Sequence, residues 1–138
     1  MLEHIESEIS ILDITIINEL NGCSKIFTDQ NRVRVILLCL LSNAVLYQDI
    51  DNKQKGIVIK GVCDEERLEL EIADNGIGIS KEKLDSVFEM FVKLNNISNG
   101  PGLGLYIARE ILKKLSGSIY LTSNVQQGTV VTVIIPIC

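Results

Sequence analysis

Apolar and polar positions alternate most cleanly at 67–73. Leu68, Leu70 and Ile72 face one way there, and Arg67, Glu69 and Glu71 the other. A period of two marks a strand with one buried face. Further strands are predicted over 56–63, 118–124 and 129–137, with turns at Asp64-Glu65-Glu66 and around Gln127-Gly128. The β-branched run at 11–18 predicts another strand, and Asn21-Gly22 predicts a hairpin turn leading to 24–28. Residues 1–10 read as a short polar lead-in or a trimmed junction, which leaves 11–138 as the domain.

Helical spacing takes over at 30–48, where Asp29 suits an N-cap and Val33, Ile36, Leu37, Leu40, Leu41 and Ala44 make a wide apolar face. One polar residue, Asn43, interrupts it. The 3.6-residue period puts Cys39, Asn43, Leu46 and Tyr47 on about one side of the helix. An amide in that setting needs a partner, either a neighbouring loop or a ligand, since leaving it unpaired costs roughly 1–3 kcal/mol. Ser80 can cap a short helix running to about Val87, with Glu82 in its first turn. A last helix is predicted over 103–115, ending near Gly117. Hairpin-like strand pairs with helices between them predict an α+β protein. Its expected form is a two-layer α/β sandwich, a mixed, mostly antiparallel sheet with about three helices on one face. The alternating strand–helix crossovers of dinucleotide folds are not expected.

Composition narrows the class. The 138 residues suit one domain, and 46% hydrophobic with 4% aromatic residues and no Trp predicts an aliphatic core. The net charge of −5 and the lack of a basic tract argue against nucleic acid as a partner. The longest apolar run, 35–41, falls short of the roughly 18–20 residues of a membrane span, and Glu3, Glu6 and Glu8 are unlike a signal peptide. A soluble, cytoplasmic chain without membrane contact is expected. Cys23, Cys39, Cys63 and Cys138 lack metal-ligand spacing and are expected to be buried free thiols. His4 has no partner nearby in sequence.

Two glycine-rich stretches carry candidate chemistry. The alternating strand stops at Asp74-Asn75-Gly76-Ile77-Gly78-Ile79. Glycine admits positive φ and close approach of the backbone to a ligand, and an acid at the strand end can accept hydrogen bonds from a bound group. The same residues also suit an Asp-Asn-Gly turn that merely ends a strand. The second stretch, Gly100-Pro101-Gly102-Leu103-Gly104-Leu105, opens a helix whose free N–H groups and dipole suit an anion, usually phosphate. Neither G-x-x-x-x-G-K-[ST] nor G-x-G-x-x-G occurs, and Asp49-Ile50-Asp51 lacks the glycine of a calcium loop.

Taken in order, the chain has Asn43-Ala44 on a long helix, Asp74-x-Gly76-x-Gly78 after a strand, and Phe88-x-x-Phe91. A glycine-rich helix start and Gly128-Thr129 before the last strand follow. This series resembles the ATP-binding catalytic domain of sensor histidine kinases, which has the Bergerat fold and belongs to a superfamily shared with Hsp90, gyrase B and MutL. The resemblance runs from about Ile11 to Pro136. It implies ATP and magnesium as cofactors, with Asn43 as the metal-binding amide. It places Tyr47 near the nucleotide and gives Asp74 the adenine 6-amino group, with Gly76 and Gly78 shaping the base pocket. Thr129 then supports that acid and a bound water. Phe88 and Phe91 match an aromatic box, residues 92–101 a mobile lid, and Gly100, Gly102, Leu103 and Gly104 the phosphate end.

The family often reads Asn-Leu-Leu-Ser-Asn-Ala-x-Lys-Tyr, whereas Cys39 and Leu46 stand here at the first Asn and the Lys. Lys93 is then the best remaining catalytic cation, ahead of Arg109. His4 is not in a His-Glu-x-x-x-Pro setting, so the resemblance implies a phosphoacceptor histidine on a separate helical dimerisation domain and a response regulator downstream. Two alternatives follow from the same residues: a non-catalytic nucleotide-binding interaction module, and an anti-sigma-type serine kinase acting on a small partner protein.

Overall fold

Alternation in the sequence becomes a sheet whose two faces differ in kind. The computed structural model describes residues 15–21, 30–49, 51–84 and 104–136. Among them the strands are β1 (Thr15–Asn21), β2 (Gly56–Cys63), β3 (Arg67–Asp74), β4 (Ser118–Asn124) and β5 (Gly128–Pro136). The helices are α1 (Gln30–Leu46), a single turn α2 (Lys81–Leu84) and α3 (Gly104–Lys114). The sheet order is β1-β2-β3-β5-β4, antiparallel throughout except for the parallel β1–β2 pair.

Register aligns the inward residues into rows across the sheet. Ile59, Ile72, Val131 and Leu121 form one row, and Gly61, Leu70, Val133 and Ile119 the next. These rows share one core with Ile36 and Leu40 of α1 and with Leu105, Ala108 and Leu112 of α3. On the opposite face Val62 and Tyr120 are exposed beside Lys60 and Arg67. The two-layer α+β sandwich expected from the sequence is therefore the observed architecture. Its core is aliphatic, as the scarcity of aromatics requires.

Three expectations need correction. The first strand runs to Asn21, paired with Val62, not to residue 18. Pairing along nearly the whole of β2 overrides the local Asn-Gly turn signal, and the proposed hairpin partner at 24–28 lies outside the described residues. Second, hairpin-like pairing does not hold at the start of the sheet, where β1, α1 and β2 form one strand–helix–strand unit with parallel strands, the parallel part of the expected mixed sheet. Third, Cys63 is disulfide-bonded, while Cys39 is free and buried. The end of β2 thus carries a cross-link, where composition alone suggested thiols.

Helix ends follow local chemistry. At α3, Gly117 N–H donates to Leu112 O (2.8 Å) and Ser116 N–H to Lys113 O (3.3 Å), the paired bonds of a Schellman cap. The left-handed position falls on Ser116 (φ 58°), not on the glycine. Gly117 is required for a different reason: a Cβ there would lie 2.7 Å from Ile134 O. At α2, Lys83 and Leu84 N–H both donate to Ser80 O, while residues 85–87 of the expected helix lie outside the described residues. Among the described residues no helix is long and apolar enough to cross a membrane.

Candidate functional site

One row of the inner sheet face is polar. Asp74 of β3 stands opposite Thr129 of β5, and Thr129 stands opposite Ser123 of β4. Directly opposed residues share a face with Cβ atoms about 4.5–5.5 Å apart. The row lies at one end of the sheet, one step beyond Ile72, Val131 and Leu121, so a carboxylate and two hydroxyls border the hydrophobic core.

The Asp74 carboxylate feels that border. Burial pushes its pKa up from 3.8 to about 6, against the lowering effect of the Gly76 and Thr129 backbone N–H groups. Gly76 N–H donates to Asp74 Oδ1 at 2.9 Å. Thr129 is buried at 3% exposure. Ser123 Oγ accepts from Ile79 N–H (2.7 Å), donates to Gly128 O (3.0 Å), and lies 2.8 Å from Thr129 Oγ1.

The loop after Asp74 is clamped from both sides by backbone. Ile77 N–H donates to Tyr47 O (3.0 Å) at the end of α1, and Gln126 N–H donates to Ile77 O (2.7 Å) from the β4–β5 turn. A Cβ on Gly76 would lie 2.1 Å from Tyr47 O, and one on Gly78 (φ 73°) would lie 2.1 Å from Asn124 O. The close approach that glycine permits is thus made first to the protein's own backbone. Asn75 adds a third tie: its Oδ1 accepts from Gly56 N–H (2.9 Å) and its Nδ2 donates to Gln54 O (2.7 Å).

The C-terminal end of α1 brings in the remaining residues. Tyr47 is buried against the loop, and Asn43 lies one helical turn earlier, 9% exposed. Among the described residues no hydrogen bond is made to the Asn43 side chain. Gln48 caps the helix by donating from Nε2 to Ala44 O (3.0 Å), which leaves its buried Oε1 without a partner. Cys39 is buried, which pushes its thiol pKa up, and Leu46 packs on the core. A Cβ on Gly104 would lie 3.2 Å from Cys39 O, so this glycine lets α3 approach α1 closely.

The structure brings Asp74, Gly76, Gly78, Thr129, Tyr47 and Asn43 together at one end of the sandwich. Gly104 meets α1 at Cys39. Phe88, Phe91, Lys93, Gly100, Gly102 and Leu103 lie outside the described residues. Arg109 is half-buried on α3. Sequence reasoning missed Ser123, Asn75 and Gln48. Asn75 stands inside the glycine-rich stretch but takes no role of its own in that reading, and Ser123, the penultimate residue of β4, sits at an inward position of the period-two pattern.

This arrangement fits a ligand with an amino donor at one edge and a polar or charged part farther off. Asp74 supplies a buried acceptor, and the Asn43 amide oxygen suits a hard cation. The model of the histidine kinase-, DNA gyrase B- and HSP90-like ATPase family matches residues 28–138. The autoinducer 2 sensor kinase/phosphatase LuxQ of Vibrio parahaemolyticus is 36% identical over 132 residues, covering 91% of this chain and 15% of that protein. The aerobic respiration control sensor protein ArcB of Escherichia coli K12 is 32% identical over 117 residues, covering 80% and 14% respectively. The histidine protein kinase SaeS of Staphylococcus aureus is 31% identical over 135 residues, covering 95% and 37%. The chain therefore spans well under half the length of these three relatives. Among solved structures, full-length ShkA in complex with AMPPNP superposes with a TM-score of 0.82 at 25% identity, covering 99% of this chain and 28% of that one. The catalytic domain of the histidine kinase ThkA shares the fold, with a TM-score of 0.78 at 23% identity over 96% of this chain and 86% of that one.

Proposed function

The chain belongs to the histidine kinase-, DNA gyrase B- and HSP90-like ATPase family as a histidine-kinase-type ATP-binding catalytic domain, and on that premise we propose how its residues hold ATP and magnesium. Asp74 accepts from the adenine amino group, with Thr129 beside it and the glycine-bounded loop 76–78 as the wall of the base site. Tyr47 packs near the nucleotide, and Asn43 contributes an oxygen to magnesium. Among the described residues no cluster of three His, Cys, Asp or Glu side chains could hold a metal alone, so phosphates and water would complete the coordination. Phe91, Gly100, Gly102, Leu103 and Gly104 form the phosphate end, with Lys93 as its cation.

When bound, ATP supplies the γ-phosphoryl group that a histidine attacks. This chain contributes positioning and electrostatics, with no covalent step of its own. The histidine comes from a helical dimerisation domain of the parent kinase, and a response regulator receives the phosphoryl group afterwards. The supporting observation is the Asp74–Thr129 pair, a buried acid at the edge of an apolar core. Calorimetric titration with a non-hydrolysable ATP analogue and magnesium tests the reading. Saturable binding is expected, and no heat at millimolar nucleotide would sink it. Asn43→Asp should alter the metal dependence of that binding.

A second reading has its own observation. Cys39 and Leu46 place a buried thiol and an aliphatic side chain where the family often has an amide and a cation. This favours a domain that binds nucleotide and transfers slowly or not at all. Adding a histidine-bearing dimerisation domain with γ-labelled ATP separates the two readings. The acid stability of any phosphoprotein then distinguishes His from the Ser acceptor of an anti-sigma-type kinase.

A further inference from the structure

A serine hydroxyl has one proton to give and two lone pairs to receive with. Three groups surround Ser123 Oγ: Ile79 N–H at 2.7 Å, Gly128 O at 3.0 Å and Thr129 Oγ1 at 2.8 Å. The amide can only donate and the carbonyl can only accept. All three contacts are hydrogen bonds together only if the serine proton goes to Gly128 O and Thr129 gives its own proton to Ser123 Oγ. That assignment saturates Ser123 completely, with one bond donated and two accepted. Its consequence falls on Thr129. Having donated sideways along the row, the threonine hydroxyl keeps only lone pairs for any other neighbour.

We infer that Ser123 is a positioning residue that fixes the Thr129 hydroxyl as an acceptor and thereby sets which purine edge the site admits. Thr129 stands directly across from Asp74 on the same face of the sheet. An ionised Asp74 is an acceptor as well. The two side chains together present acceptors without a donor, which favours an amino group, or a water that donates to both. A 6-oxo group at the same place would face lone pairs on both sides. The selectivity is thus written two strands away from Asp74, in β4, through Ser123, which sits outside the family motifs in the chain. This inference rests on the reading of Asp74 as the residue that meets the base.

The test compares the affinities of ATP and inosine triphosphate, which carries a 6-oxo group, by calorimetry on the whole chain with magnesium. Wild type should prefer ATP. Ser123→Ala releases the Thr129 proton, which can then turn toward the oxo group, so the ATP-to-inosine preference should fall about three- to tenfold, the equivalent of one hydrogen bond. Ser123→Thr restores a hydroxyl at the same atom and should restore the preference. A purely structural role for Ser123 would weaken both nucleotides alike and leave their ratio unchanged. Folded Ser123→Ala protein, checked by its melting transition, with a ratio within twofold of wild type overturns the inference. So does an equal fall in Ser123→Thr. If Ser123→Ala does not fold, Thr129→Val decides: the preference should drop when the acceptor is removed, and an unchanged ratio overturns the inference. Wild type that binds neither nucleotide defeats the reading of Asp74 itself, an outcome distinct from all of these.

Discussion

Asp74 is held where it is least comfortable as a carboxylate. Its pKa rises from 3.8 to about 6 because burial outweighs two backbone N–H donors. Between these values the folded chain binds more protons than the unfolded one, so stability falls as pH rises through that window and stays low above it. A shift of that size corresponds to about 3 kcal/mol as an upper figure. Asp74→Asn keeps an oxygen for the Gly76 N–H and carries no charge. It should raise the melting temperature by several degrees at about pH 8, lose that gain near pH 4, and lose ATP selectivity at about pH 8, where the wild-type acid is ionised. Thermal denaturation across pH checks the first two, and a wild-type profile in the variant would refute the burial argument. The acid and its glycines were legible in the sequence; the reason for the glycines was not. Gly76 and Gly78 fit against Tyr47 O and Asn124 O, atoms 29 and 46 residues away in the chain, as 76 − 47 and 124 − 78 show. No local pattern encodes such neighbours. Gly76→Ala should therefore cost more than the roughly 1–3 kcal/mol of ordinary overpacking, read as a lowered urea midpoint, because the Tyr47 carbonyl it would meet at 2.1 Å is backbone and cannot yield.

At the level of elements, periodicity carried most of the information. The inward residues of β3 and the apolar face of α1 follow directly from it, and the observed β2, β4 and α1 begin where the sequence reading puts them. The failures lie where a local signal met a long-range partner. Asn21 belongs to β1 because β2 offers it a ladder partner, Val62, that a turn residue would forgo. Helix crossing was equally hidden. Gly104 admits α3 against Cys39 O with more room than Gly76 has, 3.2 Å against 2.1 Å. Gly104→Ala gains up to about 1 kcal/mol of helix propensity and pays a small shift in crossing, so its net effect on the urea midpoint should be slight. Leu112 is different. It is 1% exposed on α3 and lies beneath the Gly117 cap. Leu112→Ala should cost about 2–5 kcal/mol through lost burial and the cavity left behind. A midpoint within error of wild type would mean that α3 is not seated as described.

Across the whole molecule the site divides at α1. The proposed base end rests on sheet register, with Asp74, Thr129 and Ser123 in one row, and on a loop clamped between α1 and the β4–β5 turn. The proposed phosphate end depends on what α1 offers beyond Asn43, and there Leu46 packs on the core where the family often has a cation. Both the match and the departure could be read from residue identities, because motif order along the chain survives folding. Which end limits binding could not, since that depends on charge placed near a ligand. A lysine at 46 supplies that charge. A charge-assisted hydrogen bond is worth roughly 1.5–3 kcal/mol, so Leu46→Lys should tighten ATP binding by about tenfold or more. Adenosine, which has no phosphates, should bind the variant and wild type alike. The ratio of the two affinities, measured by calorimetry with magnesium, isolates the phosphate end from the base end. Equal tightening of both ligands would place the effect on the fold rather than on the phosphates. No tightening of either would mean that a side chain at 46 does not reach them, and that the cation for this site must come from another element.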